Sequence, residues 1–132
     1  MAQISYLYGQ LLKLSDELHM LYCLAERNNS LPSQLVGNSF YKAAQNTPRR
    51  TLAQLGLHMV HYLNWANLHR YSETLMASQA RWRIEQLLTL YETIADQLKH
   101  QSLPARFNEE EKSQFFLGYV SSLPNISAIR YK

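Results

Sequence analysis

The sequence predicts an all-α protein, a single-domain bundle of four to five helices. Apolar side chains recur at three- and four-residue steps over long stretches, and no stretch shows the period-two alternation of a strand. The chain contains only four glycines and four prolines, which are few for a fold with many turns. Its 132 residues, 46% of them hydrophobic, are enough for one domain with a sizeable core.

The first helix is predicted from Ile4 to Arg27, where apolar residues follow helical steps. Its core stripe consists of Ile4, Leu7, Tyr8, Leu11, Leu14, Leu18, Leu21, Tyr22 and Ala25. Asn28-Asn29-Ser30 should end this helix, because asparagine tolerates the left-handed position after a helix. The next fifteen residues have a weaker pattern, in which Pro32 can open a short helix and Gly37-Asn38 predicts a break or turn.

A third helix is predicted to begin at Thr47-Pro48. Threonine can cap the free N–H groups of a helix, and proline fits the first helical position. The helix should run to Leu68 or Arg70, with a core stripe of Leu52, Leu55, Met59, Tyr62, Leu63 and Ala66. Further apolar residues lie elsewhere around it, namely Leu57, Val60 and Leu68. This distribution predicts a central helix that other elements contact on several sides.

The last two helices are predicted on either side of a loop over residues 100–107. The fourth runs from Ser78 to Lys99, with an apolar stripe of Ile84, Leu87, Leu88, Tyr91, Ile94, Ala95 and Leu98. Asn108 and Glu111 have the spacing of a capping box, which predicts a fifth helix from there to about Tyr119. The bundle should therefore occupy residues 1–120, and residues 121–132 should form a C-terminal tail.

The basic residues are concentrated in the middle third of the chain. The whole chain has a formal net charge of +3, but residues 40–83 contain six basic residues and a single acid, Glu73. The six are Lys42, Arg49, Arg50, Arg70, Arg81 and Arg83. Arginine pairs well with phosphate, and a cation at a helix N-terminus opposes the helix dipole, so folding alone does not favour it there. We therefore predict that these six residues contact a nucleic-acid backbone.

A histidine and aromatic stripe runs along the same side of the predicted third helix, through His58, His61, Trp65 and His69. A metal site is one interpretation, although these residues span too many turns to meet at one ion. A second is a base-stacking platform formed by Trp65 with Tyr62 and Tyr71. The favoured interpretation is a partly buried flank against a neighbouring helix.

Five other aromatic residues have no obvious core register, and they predict either a protein interface or a stacking surface. They are Tyr6, Phe40, Tyr41, Tyr71 and Tyr131.

Nothing in the sequence predicts catalysis. Cys23 lies in an apolar helix with His19 four residues earlier, but no third group completes a nucleophilic triad. There is no glycine-rich phosphate loop, nucleophile elbow or metalloprotease motif. We expect a non-enzyme without cofactor or metal. A single cysteine, no apolar run of eighteen residues and no signal-like leader predict a cytoplasmic protein that does not bind a membrane.

Three segments of this chain resemble a known family in their order and spacing. They are Tyr6-Leu7-Tyr8-Gly9, then Phe40 to Pro48 continuing into the run Leu52 to His61, and Gln114-Phe115-Phe116-Leu117-Gly118-Tyr119. Together they resemble the C-terminal region of the large subunit of type I-C CRISPR Cascade, which is also translated separately as the small subunit. The resemblance covers the chain from about Tyr6 to Tyr119.

The resemblance implies a helical, non-catalytic small subunit of a guide-RNA surveillance complex. Its implied partners are guide RNA, target DNA, the large and backbone subunits of Cascade, and further copies of itself. It would contact the guide–target heteroduplex or the displaced DNA strand and stabilise the R-loop. Two alternatives remain open from the residues alone. One is an assembly subunit with a tyrosine-rich protein interface, and the other is a small nuclease or hydrolase that uses His58, His61 and a carboxylate.

Overall fold

The computed structural model describes residues 2–26, 36–69 and 78–121. These residues form five helices and contain no strand, so the predicted all-α bundle is confirmed. The helices are α1 (Ala2–Glu26), α2 (Val36–Asn46), α3 (Pro48–His69), α4 (Ser78–Lys99) and α5 (Glu109–Val120). The expected ends at Asn28-Asn29-Ser30 and the tail beyond Ser121 lie outside the described residues.

The central helix of the bundle is α1, not α3. It packs against each of the four other helices. Its predicted core stripe is buried at Ile4, Tyr8, Leu11, Leu14 and Leu18 and partly buried at Leu7, Leu21 and Tyr22. Several small or polar residues on its other sides are buried too: Ser5, Gly9, Gln10, Ser15 and Asp16. Hydrophobic periodicity missed this, because serine and glycine permit close packing of a neighbouring helix without adding to an apolar stripe.

The third helix has one open side, which corrects the expectation that it is contacted on several sides. Its predicted stripe does pack into the core through Leu55, Met59 and Ala66. The side chains of Leu57 and Leu68, however, are 77% and 79% exposed. Val60 is 48% exposed on the same side.

The helices α2 and α3 meet at a break at Pro48, where the chain turns so that Phe40 on α2 and His58 on α3 come into contact. The N–H of Thr47 donates to the Ala43 carbonyl, and the N–H of Thr51 donates to the Thr47 carbonyl. Pro48 has no N–H to continue the ladder between them. Gly37-Asn38, expected as a break or turn, instead lies in the first turn of α2, so the break is at the proline.

Thr47 does not form the expected cap. Its hydroxyl donates to the carbonyl oxygen of Ala43 at 3.1 Å, and its oxygen lies 3.1 Å from the Thr51 hydroxyl. The hydroxyl therefore continues the hydrogen-bonding pattern of α2 across the break. The start of α3 at Pro48 is as predicted.

Helices α1 and α5 cross at a pair of glycines. A Cβ atom added to Gly9 would lie 2.2 Å from the carbonyl oxygen of Phe115, and one added to Gly118 would lie 2.1 Å from that of Tyr6. The backbones therefore touch, and any larger residue would separate them. Beside the crossing, the Tyr119 hydroxyl donates to the buried carboxylate of Asp16 at 2.6 Å. Burial and this carboxylate raise the pKa of Tyr119.

The fourth and fifth helices match their predictions closely. Helix α4 spans Ser78–Lys99, and its stripe is buried at Ile84, Leu87 and Leu98. The capping box before α5 is complete: the N–H of Glu111 donates to the Asn108 side chain, and the N–H of Asn108 donates to the Glu111 carboxylate, both at 2.8 Å.

Candidate nucleic-acid interface

The break between α2 and α3 is contacted by two other parts of the chain, α1 and the loop between α4 and α5. From α1, the Tyr8 hydroxyl donates to the Pro48 carbonyl at 2.9 Å, and burial raises the pKa of this phenol. From the loop between α4 and α5, the N–H of Phe107 donates to the Gln45 carbonyl at 3.0 Å. The last carbonyl groups of a helix have no partner within the helix, and the Gln45 carbonyl at the end of α2 is satisfied in this way by the loop.

Arg49 is the third contact at this junction. Its Nε donates to the carbonyl oxygen of Leu103 at 2.6 Å, which fastens the loop after α4 to the first turn of α3. This hydrogen bond occupies the Nε–H donor of the Arg49 guanidinium. Its terminal nitrogens carry the remaining donors, and the residue as a whole is exposed.

Three further exposed cations lie on the segments that meet at this junction. Lys42 lies on α2 about 8 Å along the helix before Thr47. Arg50 lies in the first turn of α3, and Arg106 immediately precedes Phe107 in the loop that contacts Gln45. Within the described ranges none of the three makes a hydrogen bond or an ion pair. We call Lys42, Arg49, Arg50 and Arg106 the junction cluster.

Arg106 is the member that sequence analysis missed. The final third of the chain contains the acidic run Glu109 to Glu111, which conceals a basic residue when charges are summed over the segment. In the fold, two of these acids have local partners: Glu109 lies 3.6 Å from Lys112, and Glu111 completes the capping box. A basic residue two positions before a helix cap was the only available signal.

Arg83 is separated from the junction cluster. It lies about 24 Å along α4 from Lys99, whereas Leu103, which contacts Arg49, follows the end of α4. Its guanidinium donates to Glu17 on α1 and to Gln86 one turn later. With its side chain 33% exposed and its charge paired, it connects α1 to α4.

Three of the six predicted contact residues, Lys42, Arg49 and Arg50, therefore lie exposed on the two helices that meet at the junction. Arg70 and the side chain of Arg81 lie outside the described residues. Arg50 and Arg70 are twenty residues apart along the chain. The six predicted contact residues therefore do not form a single cluster merely because they follow one another in the sequence.

The histidine and aromatic stripe packs against α1 only in part, through Trp65 and the edge of His61, while His58 and His61 remain exposed. The Tyr22 ring contacts those of His61, Tyr62 and Trp65 at centroid distances of 5.0–5.4 Å. Trp65 is only 6% exposed, so its ring faces cannot stack on a base. His69 Nδ1 lies 2.9 Å from the Trp65 carbonyl within the same helix.

The aromatic residues without a core register are also packed where the structure describes them. Tyr41 lies against the rings of Phe115 and Tyr119, with centroid distances of 4.9 and 5.3 Å. The Phe40 ring meets His58 at 5.8 Å, and the hydroxyl of Tyr6 donates to Ser121 at 3.3 Å. All three are half-buried. Tyr71 and Tyr131 lie outside the described residues.

Among residues 2–26, 36–69 and 78–121, no three His, Cys, Asp or Glu side chains come close enough together to bind a metal ion. None of the helices in these ranges is both long and apolar enough to cross a membrane.

Comparisons of the chain with protein-family models, with curated proteins and with solved structures find no match.

Proposed function

We propose that this chain is a non-catalytic small subunit of a type I-C CRISPR surveillance complex that binds nucleic-acid backbone and stabilises the R-loop. The observation that carries the proposal is the junction cluster, which combines an arginine fixed by the fold with exposed cations that have no acidic partner among the described residues. The resemblance of the three sequence segments supplies the biological setting. In that setting the cytoplasmic complex includes guide RNA, the large and backbone subunits, and more than one copy of the chain.

The arginine and lysine side chains of the junction cluster are suited to bind phosphate. Arginine and lysine contacts to phosphate position a strand without reading its sequence. Trp65 is buried, so a stacking platform there does not add base recognition. R-loop formation is nearly balanced in free energy, and a few backbone contacts from each small subunit are enough to prolong the open state.

The two arginines at the start of α3 have different roles in this proposal. Arg50 has no hydrogen-bond or ion-pair partner within residues 2–26, 36–69 and 78–121, and it is available for phosphate. Arg49 fixes Leu103 and offers only its outer nitrogens to a ligand. The sequence alone suggests reversing the charge of both arginines to test binding in an intact fold. The fold shows that this double change would also release the loop that Arg49 holds through Leu103. Arg50, Lys42 and Arg106 are therefore the residues to change.

The test is fluorescence anisotropy of the chain with a labelled single-stranded DNA, titrated across salt concentrations. Four phosphate contacts should give a log–log slope of about −3 on a single strand. Arg50→Glu combined with Arg106→Glu should weaken binding at least tenfold at low salt and flatten the slope. The far-ultraviolet circular dichroism spectrum should remain unchanged.

The matched control is Lys13→Glu, which makes the same charge reversal elsewhere. Lys13 lies five residues after Tyr8 on α1, about 140° around the helix from the side chain that contacts the junction. Its reversal should change binding much less than that of Arg50. Equal losses at Lys13 and Arg50, or no binding by the unaltered chain, would remove the support for a localised backbone site.

An assembly role is the second candidate, and exposed apolar residues favour it rather than tyrosines. The tyrosines named for that role are half-buried where described, whereas Phe116, Leu117 and Val120 are 44–52% exposed on the outer side of α5. This role predicts that polar substitutions on α5 disrupt the complex while Arg50→Glu leaves it intact. Pull-down of the other subunits with each variant separates the two functions.

A further inference from the structure

The open side of α3 carries a regular row of exposed residues. The steps along it are four, three, four, three and four residues, an average of 3.6, so the row runs straight along one line of the helix. We call this row the α3 seam: Arg50, Gln54, Leu57, His61, Asn64 and Leu68. All six residues are exposed, and Leu57 and Leu68 are more than three-quarters exposed.

The charge pattern of α3 limits what can cover this seam. The whole helix contains no acidic residue, and its only formally charged side chains, Arg49 and Arg50, lie in the first turn. A partner segment with basic or acidic side chains would find no complementary charge near Leu57 and Leu68. A second, equally uncharged surface fits them, and the seam of another copy of this chain is such a surface.

We propose that two copies of this chain pair through the α3 seam as an antiparallel, twofold-symmetric dimer. In a twofold interface the same patch contacts itself, so one register fixes every pairing. The register that centres the axis between His61 and Asn64 places each Leu57 against the other copy's Leu68. It also places His61 opposite Asn64, two polar side chains that can hydrogen-bond.

The antiparallel direction follows from the position of Arg50. A parallel pair would bring the two basic first turns together and oppose like charges. In the antiparallel pair the basic N-terminal turns lie at opposite ends, and the two helix dipoles also oppose each other favourably. The small number of apolar residues on the seam predicts weak association that becomes important at high local concentration.

Sedimentation velocity of the whole chain from about 10 to 500 µM tests this inference. We expect a monomer–dimer equilibrium whose dissociation constant rises at least tenfold in Leu57→Glu. Both leucines are exposed, so circular dichroism should show an unchanged helical fold. A chain that is monomeric throughout this range, or a Leu57→Glu variant that dimerises normally, would overturn the inference.

A charge swap tests the register. In the double variant Leu57→Glu with Leu68→Lys, the antiparallel register places the introduced carboxylate opposite the introduced ammonium group, and dimerisation should return. In a parallel pair the same double variant would oppose like charges and stay monomeric, which would refute the proposed direction. Leu117→Glu, at an exposed leucine of α5, is the matched control and should leave dimerisation unchanged.

This inference names a surface for the contact between copies that the proposed function includes, but it does not require nucleic-acid binding. The Arg50 and Arg106 variants test strand binding, and the Leu57 and Leu68 variants test self-association. Failure of one proposal therefore leaves a distinct signature from failure of the other.

Discussion

Replacing Gly9 by alanine adds a single methyl group at the closest contact between two helices. The new Cβ would lie 2.2 Å from the Phe115 carbonyl oxygen and 2.8 Å from the Tyr119 amide nitrogen. Both obstacles are backbone atoms of α5, which cannot rotate away as a flexible side chain can. Ordinary contact begins at 3.4 Å, so α1 and α5 must separate locally by about 1.2 Å.

The free-energy cost follows from the contacts that this separation loosens. A gap of about 0.5–1 Å loses roughly a quarter to a half of each van der Waals contact, and the affected contacts include the rings of Tyr8 and Phe115, whose centroids are 5.6 Å apart. Overpacking costs about 1–3 kcal/mol, and the backbone clash justifies the upper end. Alanine recovers about 1 kcal/mol of helix propensity. The net destabilisation should be about 2 kcal/mol.

Gly56→Ala provides the matched control, because a Cβ atom at Gly56 meets nothing within 4 Å. That variant should gain about 0.5–1 kcal/mol from helix propensity alone. Urea and thermal unfolding followed by circular dichroism measure both, and the Gly9→Ala midpoint should fall by roughly 6–10 °C. If Gly9→Ala raised the midpoint as Gly56→Ala does, the backbone contact between α1 and α5 would be refuted.

Two further predictions concern the junction and the buried phenols. Arg49→Gln should lower the free energy of unfolding by about 1 kcal/mol, because it loses a charged, partly exposed hydrogen bond to Leu103. Arg50→Gln should change the free energy of unfolding by less than about 0.5 kcal/mol. Equal effects of the two variants in urea unfolding would contradict the role of Arg49 as the anchor of the loop. Burial raises the pKa values of Tyr8 and Tyr119, so above about pH 10 the unfolded chain releases phenolic protons that the folded chain retains. The free energy of unfolding should therefore not depend on these two phenols below pH 10, and it should fall as the pH rises further. Urea unfolding between pH 8 and 11 measures this change. Ionisation of both phenols near pH 10 in the folded chain, followed by absorbance at 295 nm, would contradict the prediction.

Local signals in the sequence predicted local features well. The bounds of α4 and the capping box of Asn108 and Glu111 depend on side chains within a few residues of each other, so periodicity and spacing were sufficient. The start of α3 at Pro48 was equally accessible, because the missing N–H of proline acts on its own turn. Gly37-Asn38 was misread because tertiary contacts can override a residue's weak preference for a turn.

Features that join distant segments were not accessible in the same way. The sequence predicted Arg49 and Arg50 as equivalent cations, and only the fold distinguishes them, by placing the Leu103 carbonyl beside one of them. Arg83 was grouped with them because it is basic, although Glu17 on α1 neutralises it far from the junction. Arg106 was missed because the acids Glu109 to Glu111 follow it closely along the chain and cancel its charge in a segment sum. In the fold, two of these acids are engaged elsewhere, with Lys112 and in the capping box.

The sequence by itself determined the fold class, the helices and the basic character of the middle of the chain, because these depend on composition and on spacing within single helices. The tertiary structure alone decided that α1 is central, that α1 and α5 touch through Gly9 and Gly118, and which cations lack a partner among the described residues. The physical reason is that burial and pairing depend on which backbone atoms and charges approach from elsewhere in the chain. Helical periodicity specifies which face turns inward but not what meets it.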